Sequence, residues 1–465
     1  MSTPRKMLIV RKTPWPPHAL ACVAVLAICV GCEEKAPAPP KPAPRTSVAL
    51  HIGVVEDAAL AEAIRRLRGE WSERSGGALH VVSVSRDELL TGVLRQDEVR
   101  PPTDLVVFPS KLLGELCEED RLRPVRDSVI SSEDLDFNDL FPLIRERVIV
   151  YGQRVMALPL GCPAPLMAFG ADTTASSSWD KLPSRAELPV LSGDDRLPRH
   201  AYRFLARAVC YATHPAREAV LFDPRTMEPR IAEPPFLKAM REVTRGGKAT
   251  EAINRDEGPA LAIAWPVRPA ARPQDDAMPF VGAAPLPGAM SVYSPVSKSW
   301  ETVDGAPQRV AMLATSGRLI GVKTKSRNAA SAFRLLTWLA GKDNARGLAT
   351  ASSNVANPRL SLSGIPDDWT ASSSQAIGKP FARAAARNLQ ARRGFVVPRL
   401  VRIDEYLACL EAEVAAAAAG EKTAEDALSG IFAGWEALTE AVGRDRQFRA
   451  YRRHLGLDRY EPQSR

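Results

Sequence analysis

Two hydrophobic periods alternate along this chain. Val48 to Val55 is almost continuously apolar and predicts a buried strand. Ala58 to Trp71 carries apolar residues at helical spacing, and Gly76-Gly77 ends that element. "ALHVVSVS" predicts a second strand and "RDELLTGVLRQ" a helix. "TDLVVFPSKLLGEL" predicts a strand running into a helix. This βαβαβ rhythm implies a parallel sheet covered by helices. "VIVYGQRVMALPLGCPAPLMAFG" predicts a hairpin, then a strand that leaves the first unit.

From Asp172 to about Gly305 the pattern is less regular. Helical stretches are expected around Arg199 to Tyr211 and Pro235 to Arg245. Short apolar runs follow in "ALAIAWPV" and "MPFVGAAPLPG", with a surface loop over Arg272 to Asp276. "RVAMLATSGRLIGVKT" returns to strand character. "RNAASAFRLLTWLAGKDNARGLA" predicts an amphipathic helix and a shorter one. The C-terminal part is helical. "VRIDEYLACLEAEVAAAAAG" ends on Gly420, suited to a helix terminus. The next helix opens with Thr423 and Asp426 at capping-box spacing, and Gly443 can end it. Trp338 and Trp435 sit on apolar helix faces and are expected in the core.

The N-terminus adds location. Arg5, Lys6, Arg11 and Lys12 precede an apolar run, Ala19 to Gly31, with no acid among them. Its thirteen residues have signal-peptide length and fall short of the about 20 that span a bilayer as a helix. Val30-Gly31-Cys32 resembles the lipobox of bacterial lipoproteins, except that Cys29 stands where Leu is commonest; the resemblance implies lipidation of Cys32. Five of the residues from Glu33 to Arg45 are proline, the composition of an extended spacer.

Composition narrows the function classes. The 62 basic residues less the four in the signal region leave 58 against 54 acids, a net charge of +4. That balance, without a dense basic tract interleaved with aromatics, argues against nucleic-acid binding. Cys117, Cys162, Cys210 and Cys409 stand far apart, as buried thiols or as disulfides that spacing cannot pair. No GxSxG or HExxH motif occurs. His51, His80, His200, His214 and His454 are scattered, so neither an enzyme nor a metal receptor is expected, and no cofactor.

Taken in order, five segments resemble the extracellular solute-binding proteins of bacterial ABC transporters, in the group that includes the maltose- and other sugar-binding proteins. They are "DLVVFPSKLLGELCEEDRLRPV", "YGQRVMALPLGCPAPLMAFG", "GPALAIAWP", "SGRLIGVKTKSRNAASAFRLLTWLAG" and the closing helices from "FVVPRL" onward. Together they cover most of residues 48 to 457; the stretch from Thr174 to Met240 matches least. The resemblance implies an α/β, two-lobed periplasmic-binding-protein fold of type II, with hinge-linked lobes and a helical C-terminal part. The expected organisation is a signal peptide over 1–31, then lipidated Cys32 and spacer over 32–47. Lobe 1 follows over 48–165 and lobe 2 over 166–308. The chain returns to lobe 1 over 309–365, and 366–465 is a helical part packing on lobe 2 and the hinge. It implies a non-catalytic, monomeric receptor, lipid-anchored to the cell membrane and facing the periplasm or exterior. Such a receptor captures a small polar solute of the carbohydrate class for an ABC permease. The alternative is a two-lobed sensor or scaffold lipoprotein without a transport role.

Loops after the carboxyl ends of parallel strands nominate the ligand residues. Glu56 and Asp57 follow the first strand, where they also suit a helix N-terminus. Phe108 and Ser110 follow the third, and Ser110 also suits a cap. Gly161 and Cys162 lie near the first crossing, where glycine can serve only a turn. Trp265 is the stacking candidate, with a core role as its rival. Tyr293 and Trp300 are expected in a loop after "PLPG", with a surface role as their rival, and Asp404 matches a cleft-facing position in the closing segment, with an exposed helical acid as its rival. Aromatics make up only 6% of the chain, and the first lobe offers few near its expected loops, which argues against a long oligosaccharide; a smaller polar solute, such as a sugar phosphate or polyol, stays open, and so does a loss of binding.

Overall fold

The computed structural model describes residues 48–91, 102–170, 173, 176–182, 188–192, 196–245, 261–265, 280–352, 354–363 and 375–461. The signal-peptide, Cys32, spacer and 272–276 loop expectations fall outside them.

Leu50–Val55 lies at the heart of the larger sheet because its side chains are buried on both faces, with Ile52, Val54 and Val55 fully covered. The strand order is Leu79–Val84, Leu50–Val55, Leu105–Pro109, Arg318–Val322, Leu158–Gly161. The first three are parallel, with Leu50 opposite Leu79 and Ile52 opposite Leu105. Arg318–Val322 runs antiparallel to both neighbours. The carboxyl ends of four strands and the start of the fifth therefore share one edge. Helices Ala58–Arg66 and Ala329–Ala340 cover this sheet, and Trp71 meets Trp338 with ring centroids 5.5 Å apart.

The second sheet runs in the order Phe280–Pro285, Leu166–Gly170, Leu261–Ala264, Val190–Leu191. Only the last pair is parallel. Helix Gln375–Leu389 packs on Phe280–Pro285, and helix Arg199–Ala212 packs beside Val190–Leu191 and on helix Pro234–Thr244. The two sheets form two lobes.

Helix Ile403–Ala419 packs on Arg199–Ala212, and helix Ala424–Val442 on both Ile403–Ala419 and Pro234–Thr244. Thr423 caps the latter by accepting the Asp426 N–H at 3.0 Å, and Gly420 ends the former with φ 79°. Trp435 is buried against Phe222, with ring centroids 5.0 Å apart, and its indole N–H donates to the Tyr406 carbonyl at 3.0 Å.

Several elements differ from the pattern reading. The helix expected over Ala58 to Trp71 is interrupted at Leu67, whose N–H turns to the Arg65 and Ile64 carbonyls. The helices Gln375–Leu389 and Arg444–Leu455 fall in the part expected to be helical, but periodicity did not locate them. The first holds Pro380 in its interior, and the second buries only Gln447, Ala450 and Tyr451. The four cysteines of the body are free thiols, three buried and Cys409 half-buried. Among the described residues no helix is long and apolar enough to cross a membrane.

Candidate functional site

The shared strand edge opens on a cleft of about 430 Å³. Three consecutive parallel strands deliver polar residues into it from their carboxyl ends: Glu56, then Arg86, then Ser110 and Lys111. The second lobe supplies Arg196, Leu197 and Pro198, which lead into helix Arg199–Ala212. The segment between strands Ala311–Leu313 and Arg318–Val322 contributes Ala314, Thr315 and Ser316, and the second strand its first residue, Arg318. Helix Ile403–Ala419 presents Asp404, Leu407, Ala408 and Glu411, the i, i+3, i+4, i+7 positions of one face.

Charge is abundant here and paired. Asp404 bridges two cations, accepting from Lys111 at 2.6 Å and from Arg86. Arg86 also reaches the Glu115 carboxylate at 3.4 Å. Burial pushes the Glu115 carboxyl above its usual range, with Arg86 opposing that shift. Glu56 pairs with Arg196 across the two lobes. Arg318 is buried, with its Nε 3.4 Å from Asp57 Oδ2. Glu411 accepts the Ala201 N–H at 2.8 Å.

The backbone is strained at the same place. Glu56 and Ala314, both lining the cleft, have φ of 49° and 57°, and Arg402, two residues before Asp404, has 59°. A side-chain-bearing residue in this left-handed region costs of order 1–3 kcal/mol, and such strain clusters at functional sites.

Of the residues nominated from sequence, the structure brings Glu56, Ser110 and Asp404 together in the cleft. Ser110 Oγ donates to the Ser316 carbonyl at 2.9 Å, so it also ties the crossing segment to the third strand. The others lie elsewhere. Asp57 is buried as the cap of helix Ala58–Arg66, accepting from the Leu60 N–H at 3.1 Å, Ser352 Oγ at 2.7 Å and Asn354 Nδ2 at 3.1 Å. Phe108 is fully buried in the core, inside the strand rather than in the loop beyond its carboxyl end. A Cβ on Gly161 would sit 2.6 Å from the Ala356 nitrogen, so this glycine serves close packing. Cys162 is buried, and burial pushes its thiol up to about 12. Tyr293 and Trp300 pair edge-on across a two-stranded hairpin, 5.7 Å apart, outside the cleft lining.

Trp265 does not face the cleft as a stacking platform. It is buried to 3% exposure beside Tyr202, with ring centroids 5.8 Å apart. Its indole N–H donates to Thr315 Oγ1 at 3.0 Å, while the Tyr202 hydroxyl donates to the Thr315 carbonyl at 3.1 Å. Trp265 therefore holds a cleft residue from behind. Sequence reasoning missed Arg86, Lys111, Arg196, Thr315 and Arg318. The rule that nominated Glu56 applies equally to Arg86 after the second strand, and Lys111 follows a residue already nominated. Arg196 and Thr315 carried no local signal.

Neither a family model nor a curated protein matches this sequence. Solved structures do. A cyclo/maltodextrin-binding protein complexed with maltotetraose is 16% identical, with TM-score 0.60 over 86% of this chain and 99% of that one. The sugar-binding protein MalE of Xanthomonas citri is 14% identical, with TM-score 0.62 over 85% of this chain and 98% of that one. An ABC transporter solute-binding protein of Agrobacterium radiobacter K84 in complex with ribitol is 16% identical, with TM-score 0.57 over 85% and 100%. The chain has the two-lobed periplasmic-binding-protein fold.

Proposed function

We propose that this chain is a membrane-tethered extracytoplasmic receptor that captures a polar solute of the carbohydrate class and hands it to an ABC permease. One observation carries the reading. The cleft joins the carboxyl ends of three strands of one lobe to a segment of the other, and ion pairs involving Glu56, Arg86, Lys111, Arg196 and Asp404 line it. The similar structures with maltotetraose and ribitol support the ligand class. Glu56, Arg86, Ser110, Lys111, Thr315 and Asp404 are proposed to face the solute. A ligand that touches both lobes favours their closed arrangement, and closure is the signal a permease reads. Cys32 is the proposed lipid anchor and the proline-rich segment after it the stand-off.

The test is thermal unfolding of the purified chain against sugars, polyols, sugar phosphates, amino acids and metal ions. A binder at 100 times its dissociation constant adds about 2.7 kcal/mol and a visible rise in midpoint. A rise with carbohydrates alone supports the receptor. A flat response from a folded sample removes it and favours a sensor or scaffold. In the producing cell, Cys32→Ser is expected to move the protein from the membrane to the soluble fraction; retention in the membrane would rule out the anchor.

A further inference from the structure

The lining of the cleft says more about its ligand than the fold does. Among the described residues no aromatic side chain lines it. The segments outside the described residues between 92 and 374 add a single aromatic, Trp369. The indole of Trp265 is turned to Thr315. Among the described residues a flat apolar platform for stacked sugar rings is therefore lacking, and at about 430 Å³ the space lies toward the small end of ligand pockets, which run from about 300 to 1,000 Å³. What the lining offers instead is paired charge. Among the described residues four cations and three carboxylates line it, with Asp57 behind Arg318 and Glu115 behind Arg86.

Resting on the receptor reading, we infer that the cleft takes a small, uncharged, polyhydroxylated solute, an acyclic polyol or a single sugar ring. The reason is compensation. A neutral solute exchanges its hydrogen bonds with water for bonds to groups whose charges are already paired. Adjacent hydroxyls can donate to Asp404 or Glu56 and accept from Lys111, Arg86 or Arg196 without breaking a pair. An anion would have to pull a cation from its carboxylate and leave that carboxylate uncompensated in a closed cleft, which is costly. A maltodextrin would find no ring face to stack on.

Calorimetry with the purified full chain separates these classes, using ribitol, D-mannitol, D-glucose, D-gluconate, D-glucose 6-phosphate and maltotetraose. One of the three small neutral probes is expected to bind at least tenfold tighter than the other three. Its affinity should hold between low and physiological ionic strength, where an ion's attraction is screened. Asp404→Asn leaves Lys111 without its carboxylate while Arg86 keeps Glu115; it should cost about tenfold or more for the neutral probe and raise the affinity for gluconate. Circular dichroism of the variant checks its fold. Trp369→Ala should leave binding unchanged. Tightest binding of gluconate, the phosphate or maltotetraose would overturn the inference and leave the receptor standing. So would neutral binding that Trp369→Ala removes. Silence of all six would take down both.

Discussion

The indole of Trp265, expected as a stacking platform, is turned by the structure to Thr315. An aromatic before a proline at the end of a strand was legible as a feature of the cleft region. The direction of its indole was not, because that depends on Tyr202 and Thr315, 63 and 50 positions away in the chain. The hydroxyl of Thr315 accepts from Trp265 and so keeps its own proton for a ligand acceptor. Trp265→Phe removes the donor and leaves Thr315 free to rotate. Losing one net hydrogen bond is worth about 1 kcal/mol, roughly fivefold in affinity. In a Thr315→Val background the same change should then have little further effect. A calorimetric double-mutant cycle measures this, and additive losses would mean that Trp265 meets the solute itself. Ser110, Glu56 and Asp404 were legible for a simpler reason. Each sits beside an element terminus that periodicity reveals, on the edge where a parallel sheet exposes its loops.

At the scale of elements, the pattern succeeds where burial is one-sided and fails where charge does the packing. Helix Arg444–Leu455 has no apolar stripe to read. It docks on helix Leu113–Glu118 through ions: Arg453 places both its contacts to the Glu118 carboxylate at 2.8 Å, and Arg446 pairs with Glu119. Near its end, His454 Nδ1 accepts from Arg399 Nε at 3.2 Å, and its ring stacks on Tyr451. Burial, with Arg399 and Arg147 nearby, holds its pKa well below the usual histidine range. The neutral ring is therefore the folded form. Above about pH 6.5 neither state is protonated and the helix keeps its full contribution. Below that, the unfolded chain binds a proton that the folded chain refuses, so stability falls as pH drops toward the folded value. One such group gives at most about 1.4 kcal/mol per pH unit. His51 and His200, lowered chiefly by burial, add in the same direction. His454→Gln should flatten the loss of denaturation midpoint between pH 6.5 and 5 without abolishing it. An unchanged slope would show that His454 is protonated in the folded state.

For the molecule as a whole, function depends on how the two lobes share their contacts. Arg196 belongs to the second lobe and Glu56 to the first, and their ion pair spans the cleft. The Arg196 side chain is 61% exposed, so the pair is screened and worth about 0.2–1 kcal/mol. That is too little to hold the lobes shut and enough to bias them. A bias of about 0.5 kcal/mol changes the ratio of closed to open molecules roughly twofold, and the apparent affinity of a solute that needs the closed state follows in proportion. Arg196→Ala should therefore weaken binding by about twofold through the pair alone, and by more if the guanidinium also meets the solute. The two contributions separate on Glu56→Gln, which breaks the pair but keeps a hydrogen-bonding group in place. Small-angle scattering of the unliganded protein then decides the matter. If the pair biases closure, both variants give a larger radius than the parent at low salt, and the difference shrinks as salt rises. Equal radii under both conditions would mean that the crossing segment around Ala314 to Arg318 sets the lobe angle by itself, with the ion pair only decorating the mouth of the cleft.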